Sequence, residues 1–349
     1  MKLYEFELGL AARKLVGEIL NIKVNEEVVI TADTMSSEEV VNATARAVFE
    51  LGAKPVVVWI AAPLGVGKAA DPMLPMKTLI GALKSADVWI EYNYQWLLYS
   101  TVFEVAIREN KDLRYICLVG MNPDMMIRTI GRVDLVKLKE FLLKIAEVTM
   151  KGRKVKITTP AGTEIEFENH PARKPRIHYG HIPKGHYGML PGQISWSPVF
   201  ESINGRIVFD GSVYPPIGLL KEPIELEVEK GKIVNISGGR EAEEFARWLE
   251  SFNDPNMYRL AHISYGFNPG AKLTGNIVED ERVWGATEWG IGSVGPGLVP
   301  DIPGGIPAAS HTDGICLNSS VWIDDVQIMD KGKVIYPKEL VDLAKALGK

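Results

Sequence analysis

The chain has 349 residues, of which 46% are hydrophobic and 24% charged, a balance typical of a soluble globular enzyme. Its net charge of −5 gives no reason to expect nucleic acid as a partner. The sequence contains no run of 18 or more apolar residues, so we expect no membrane-spanning helix. The first residues lack a signal-peptide pattern, so we expect a cytoplasmic protein. Its two cysteines, Cys117 and Cys316, are expected to be buried, reduced thiols.

Strand and helix patterns alternate over residues 1–150. Val28–Asp33 predicts a buried strand, and Ser36 then opens a helix with capping chemistry that is expected to stop at Gly52. The pattern continues with three strands and one long helix: 55–60, 88–92, 115–119 and 133–150. Short apolar strands that alternate with helices imply a parallel sheet covered on both faces. Residues 1–150 are therefore predicted to form a doubly wound α/β domain.

The pattern changes at Lys151, where period-two alternation predicts antiparallel hairpins. Residues 151–349 are therefore predicted to form a β-rich α+β domain. Asn169–Pro191 holds four of the six histidines with little periodicity, and we interpret it as a long loop between the domains. The exposed-edge hairpins, together with the loop Gly295–Pro307, favour a homo-oligomer. The predicted hairpins and helices of this half are 154–167, 224–234 and 321–335, then 241–252 and 338–347.

Two glycine motifs resemble nucleotide-binding sequences without meeting their requirements. Gly65–Lys68 lacks the first glycine and the final Ser or Thr of a phosphate-binding loop. Gly290–Gly295 fits the dinucleotide fingerprint, but proline-rich sequence follows where a helix should begin. We expect a tight turn or a close approach of the backbone at the second motif instead.

The triplet His311-Thr312-Asp313 is a candidate for metal binding. In an extended segment, residues i and i+2 project from the same face, so the imidazole and the carboxylate would point to one spot. His262 lies in another strand-like segment and is a third candidate. Glu288 is flanked by apolar and small residues, so it is either exposed on a strand edge or buried with a partner. The residues leave both possibilities open.

The run Asn253–Ala271, the triplet at 311–313 and the hairpin that contains Ile323–Asp325 resemble the 2,5-dihydroxypyridine 5,6-dioxygenase family. Pro191-Gly192 and Ser202–Gly211 resemble the wider superfamily of metallo-aminopeptidases of the aminopeptidase T type. The resemblance to the dioxygenases implies an enzyme that opens a hydroxylated pyridine ring with Fe(II) and dioxygen. Carried over position by position, it places the metal ligands at His262, His311 and Asp313.

This sequence departs from both relatives. Gln193 stands where the aminopeptidases have a glutamate, which argues against a second metal because an amide brings no charge to offset it. Glu288 has no counterpart in the dioxygenases. Gln95–Tyr99 occupies a region where the dioxygenases carry a histidine, which implies a different ring or substituent in the pocket. The residues named as acid/base or substrate-orienting groups are Glu288, His186 and Tyr99.

Two functions remain in view. The first is a mononuclear Fe(II) ring-cleaving dioxygenase acting on a hydroxylated pyridine, a related N-heterocycle or an aromatic compound, with dioxygen as the second substrate. The second is an aminopeptidase-like hydrolase that uses Zn, Mn or Co, with Glu288 as a metal ligand or general base. Because the histidines must be neutral to bind a metal, binding is expected to weaken at acid pH.

Overall fold

The computed structural model describes residues 4–349, and the chain divides into two compact units. The first unit comprises the residues up to Val133 together with Gly180–Pro191. The second comprises Asp134–Tyr179 and Gly192–Lys349. This division differs from the boundary expected at residue 150. The long helix at 135–151 packs on elements of the second unit, and a strand within Gly180–Pro191 pairs with the sheet of the first.

The first unit contains a five-stranded sheet with the order β2-β1-β3-β4-β8, and all its pairings are parallel. Its strands, numbered along the whole chain, are β1 (Glu27–Asp33), β2 (Lys54–Ile60), β3 (Val88–Glu91), β4 (Arg114–Cys117) and β8 (Tyr187–Met189). Its α-helices are α1 (Glu5–Lys14), α2 (Glu38–Glu50), α3 (Met76–Ser85), α4 (Thr101–Glu109) and α5 (Pro123–Met126). The alternation of strands and helices is as predicted.

Local chemistry explains where the strands of the first unit end and how they pack. Trp89 stacks on Tyr115 with ring centroids 4.2 Å apart, and its indole nitrogen donates to the Thr31 hydroxyl at 2.9 Å. Ser36 does not cap α2 as expected. Its hydroxyl instead accepts from the amide of Asp33 and donates to the carbonyl of Tyr92, both at 2.9 Å, so it ties the end of β1 to the segment after β3.

The second unit is built on two large sheets, of eight and seven strands. The eight-stranded sheet is β14-β13-β10-β6-β5-β18-β19-β20, with β5 (Lys154–Thr158), β6 (Glu164–Glu168), β10 (Asn204–Phe209), β13 (Ile224–Glu229), β14 (Lys232–Gly238), β18 (Ser320–Ile323), β19 (Val326–Asp330) and β20 (Lys333–Val334). The seven-stranded sheet is β12-β11-β17-β16-β15-β9-β7, with β7 (Arg176–His178), β9 (Gln193–Trp196), β11 (Ser212–Tyr214), β12 (Gly218–Leu219), β15 (Leu260–Gly266), β16 (Thr287–Val294) and β17 (Ile306–Cys316). The helices are α6 (Leu135–Lys151), α7 (Arg240–Ser251), α8 (Ile277–Asp280) and α9 (Lys338–Ala346).

The two sheets of the second unit meet through aromatic side chains. Phe167 of the eight-stranded sheet packs edge-on against Trp289 at 5.5 Å and lies 6.4 Å from Trp196, with both tryptophans on the seven-stranded sheet. Phe209 lies so close to Gly314 that a Cβ there would be 2.3 Å from its ring. One face of the seven-stranded sheet is therefore part of the apolar core. Because side chains alternate along a strand, every second residue of these strands projects from the opposite face.

Two further expectations can be compared with the structure. The segment Asn169–Pro191 is not one long loop, because it contributes β7 to the second unit and β8 to the first. Both strands have three residues, too few for a period-two pattern to be recognised. Cys117 and Cys316 are buried and unbridged, as predicted. Among residues 4–349, no helix has both the length and the apolar character needed to cross a bilayer.

Candidate metal centre

Three adjacent antiparallel strands bring the predicted ligands together. The register places His262 of β15 opposite Gly290 of β16, and Gly290 opposite Asp313 of β17. His311 precedes Asp313 by two residues on the same strand, opposite Gly292. All three polar side chains consequently belong to one face of the sheet, the face that does not pack against Phe167.

The donor atoms of these side chains converge. One nitrogen or oxygen from each of His262, His311 and Asp313 lies within 4.8 Å of the others, so the group could hold a metal ion. The Oδ1 atom of Asp313 is 3.0 Å from Nε2 of His311 and 3.6 Å from Nε2 of His262. The two imidazole rings are nearly parallel, with centroids 5.2 Å apart. Among the residues described, these three form the group of His, Cys, Asp or Glu side chains whose donor atoms lie this close together.

The hydrogen bond on the far side of His311 determines what its other nitrogen can do. Nδ1 lies 2.8 Å from the carbonyl oxygen of Ser293, which can only accept, so Nδ1 carries the proton. In a neutral ring, Nε2 then presents its lone pair to the Asp313 carboxylate. Two lone pairs facing each other at 3.0 Å require a cation or a proton between them. Although burial opposes it, Asp313 raises the pKa of His311 to about 9, so a proton takes this place when no cation does.

Gly290 makes room for the imidazole of His262. A Cβ at position 290 would lie 2.2 Å from Cε1 and 2.3 Å from Nδ1 of that ring, so the ring lies over the backbone of β16. This arrangement lets His262 reach across one strand toward Asp313. Burial lowers the pKa of His262 to about 4, with Asp313 opposing the effect, so the ring is neutral near pH 7. The predicted close approach at Gly290–Gly295 is confirmed at this glycine.

Glu288 is buried with partners rather than exposed on a strand edge. Its side chain is 1% exposed, and its Oε1 lies 3.2 Å from Nε2 of His262 without hydrogen-bond geometry. The Gln193 amide nitrogen donates to Glu281 at 2.9 Å and lies 3.5 Å from Oε2 of Glu288. Burial raises the pKa of Glu288 to about 7, and the charge of Glu281 adds to the effect. The group can therefore hold or release a proton near neutral pH.

The other two predicted site residues lie in the first unit. Tyr99 is exposed, has a positive φ of 66°, and packs edge-on against Phe103. His186 is exposed, and its Nδ1 lies 2.9 Å from the carbonyl oxygen of Lys184. Neither residue belongs to the group of converging donor atoms described above. Their roles as acid/base or substrate-orienting groups stay predictions.

Several polar residues on the site face were not predicted from the sequence. The register continues outward from Glu288 to Ser264 of β15, Ser195 of β9 and Arg176 of β7, and it places Tyr214 of β11 opposite Asp313. Glu281, which follows α8, joins them through Gln193. The sequence could have placed Arg176 on the site face only through the alternation of side chains along β7. That strand has three residues, too few for the alternation to be recognised.

Comparison with known proteins identifies the family. The family model NicX, 2,5-dihydroxypyridine 5,6-dioxygenase, matches residues 12–336. The chain belongs to this family. A 2,5-dihydroxypyridine 5,6-dioxygenase of Pseudomonas putida (strain KT2440) is 30% identical over 188 residues, which are 52% of this chain and 50% of the relative. The chain thus spans about half the length of the curated relative that it matches.

Two solved structures share the fold. The structure of 2,5-dihydroxypyridine dioxygenase from Pseudomonas putida KT2440 has a TM-score of 0.77 and 22% identity, covering 96% of this chain and 99% of that one. Wild-type AmpT, an aminopeptidase T from Thermus thermophilus, has a TM-score of 0.70 and 13% identity, covering 95% and 100%. Both likenesses show the mixed α/β fold, with a parallel sheet and large antiparallel sheets. Family membership indicates an enzyme and does not favour the aminopeptidase alternative.

Proposed function

We propose that this protein is a mononuclear Fe(II) dioxygenase that opens the ring of a hydroxylated pyridine or a related N-heterocycle. The observation that carries the proposal is the convergence of His262, His311 and Asp313 within 4.8 Å. Two imidazoles and one carboxylate form the donor set of non-heme Fe(II) oxygenases, which leaves coordination positions open. Membership of the dioxygenase family supports the same chemistry.

The residues fit a divalent cation for a reason independent of the family. Nε2 of His311 and a carboxylate oxygen of Asp313 face each other at 3.0 Å, and a metal ion can take the place of the proton that they otherwise share. The bond from Nδ1 to a backbone carbonyl is typical of a ligating histidine, because it fixes the tautomer and the ring orientation. When bound, Fe(II) would bring an ionised substrate hydroxyl and dioxygen together for ring cleavage.

The protein's own groups have separate tasks in this proposal. His262, His311 and Asp313 hold the metal, and Gly290 allows His262 to reach it. Glu288 acts as the acid/base group at its Oε1 atom, because its pKa of about 7 suits proton exchange with a substrate hydroxyl at neutral pH. Gln193 orients Glu288 by presenting its amide between two carboxylates.

A metal-dependent activity assay tests the proposal. The protein is purified without oxygen, loaded with Fe(II), Mn(II) or Zn(II), and supplied with a panel of hydroxypyridines, while peptide hydrolysis is measured in parallel. We expect oxygen uptake with Fe(II) only, accompanied by loss of the ring absorbance. Peptide hydrolysis with Zn(II) or Mn(II), with no oxygen uptake under any condition, would refute the proposal. The Asp313→Asn variant is the matched control, because it removes the charged ligand and keeps the side-chain shape. It should show no Fe(II)-dependent oxygen uptake.

A further inference from the structure

We propose that Arg176 forms an anion-binding subsite beside the metal centre, and that the substrate is a hydroxypyridine carrying a carboxylate group. This inference rests on the proposed function, because it names the substituent that the same site would select. It assigns a specificity role to a residue on β7, two strands away from His262.

The sheet register places Arg176 on the site face. Arg176 lies opposite Ser195, which lies opposite Ser264, which in turn lies opposite Glu288. Opposed residues in antiparallel strands project to the same side, so the four side chains share one row. At about 4.8 Å between strands, the Cα of Arg176 is roughly 12 Å from that of His262, which is one row further along. An Arg side chain and one aromatic ring together can span this distance.

The two residues between Arg176 and Glu288 in this row are small. Ser195 and Ser264 are both buried, and neither carries a side chain large enough to screen Arg176 from the metal centre. The hydroxyl of Ser264 is fully buried beside the Glu288 carboxylate, which lies opposite it in the register. The row therefore has a guanidinium at one end and a carboxylate at the other, with two short side chains between them.

The loop that follows β16 lies directly against the guanidinium of Arg176. A Cβ on Gly297 would lie 2.7 Å from an Nη atom of Arg176, so the absent side chain leaves room for the guanidinium directly under the loop. Gly297 is exposed and Arg176 is half-buried, so the residue keeps part of its surface open. The donor side chains of His262, His311 and Asp313 are also partly open, at 13%, 22% and 15% exposure.

Arg176 brings a positive charge to the same face of the sheet as Glu288 and the three proposed metal ligands. A guanidinium has five N–H donors in a planar fork. The fork matches a carboxylate in two parallel hydrogen bonds, which a neutral ring edge cannot use equally well.

A matched pair of ligands tests the subsite without requiring turnover. Binding of 5-hydroxypyridine-3-carboxylate and of 3-hydroxypyridine is measured by calorimetry with the Fe(II)-loaded protein under anaerobic conditions. The two ligands differ by one carboxylate, which is too far from the ring nitrogen for both to chelate the metal. We expect the carboxylate to bind about tenfold to a hundredfold more tightly, the range of a charge-assisted hydrogen bond. Arg176→Gln should abolish this preference while leaving the metal content unchanged. Arg176→Lys should keep part of it, because the charge remains and the fork is lost.

The control is Lys174→Gln, which removes the same charge from an exposed position two residues away and should bind both ligands like the wild type. Equal binding of the two ligands by the wild type would overturn the proposal, as would an equal weakening of both by Arg176→Gln. If Arg176→Gln fails to fold, Arg176→Lys decides the matter, because an unchanged preference in that variant would contradict bidentate recognition. Oxygen uptake is scored separately. A carboxylate preference that is lost in Arg176→Gln, without oxygen uptake, would leave the subsite standing and refute only the dioxygenase.

Discussion

Adding one methyl group at Gly290 should displace His262 and weaken metal binding without touching any proposed ligand. In Gly290→Ala, the new Cβ would lie 2.2, 2.3 and 2.8 Å from three atoms of the imidazole. Ordinary contact begins near 3.4 Å, so the ring must withdraw by about 1.2 Å (3.4 − 2.2). A displacement of that size can reduce a well-oriented interaction by about a hundredfold. We expect metal affinity to fall about tenfold to a hundredfold, and the free energy of unfolding to fall by about 1–3 kcal/mol from overpacking.

Competition with a metal-binding dye measures the affinity, and chemical denaturation measures the stability. Gly295→Ala is the matched control, because a Cβ there meets nothing within 4 Å. A double-mutant cycle identifies the cause: in a His262→Ala background, Gly290→Ala should have no further effect on metal affinity. Unchanged metal binding in Gly290→Ala would show that the position of His262 does not matter to the site, which would refute the reasoning.

Three more outcomes follow from named contacts. His311→Ala or Asp313→Ala should weaken metal binding by more than about a hundredfold while the circular dichroism spectrum persists; stoichiometric metal in the purified variants would contradict the site. Burial raises the pKa of Glu91 to about 7, so its contribution to stability is complete below about pH 4.5 and is lost as the pH rises through 7. The free energy of unfolding of the wild type should therefore fall by roughly 3 kcal/mol across that pH window, and this fall should be absent in Glu91→Gln. If the unfolding free energies of variant and wild type, measured by denaturation, change with pH by the same amount, the prediction is wrong. Gln193→Ala should leave two buried carboxylates facing each other without their shared donor, and thermal melts should report a loss of about 1–3 kcal/mol; an unchanged melting temperature would contradict the bridging role.

Sequence patterns located the elements whose periodicity is strong. Val28–Asp33 is an apolar run in a buried strand, and β1 begins within one residue of it. The alternation around His311 and Asp313 was sufficient to place both on one face of a strand, as the structure has them. These predictions succeed because side-chain direction in a strand depends only on position along the chain.

Other features depend on strand pairing, which no local pattern encodes. Arg176 and His262 are 86 positions apart in the chain, and only the order β7-β9-β15 brings them onto one surface. Glu288 could not be assigned as exposed or buried from its neighbours, because its burial depends on Gln193 and Glu281 from other segments. The spacing around Ser36 predicted that its hydroxyl would cap a helix. In the structure the hydroxyl instead donates a hydrogen bond to the carbonyl of Tyr92, a residue distant in sequence.

The chain leaves the first unit at residue 133, returns to add β8, and leaves again at residue 191. During synthesis, the parallel sheet therefore cannot close until residue 189 has left the ribosome, by which time α6, β5 and β6 of the other unit have already been made. A fragment that stops at Val133 would expose β4 as an unpaired sheet edge, a ready template for intermolecular pairing. Attempts to express the first unit alone would need the 180–191 segment joined back to it.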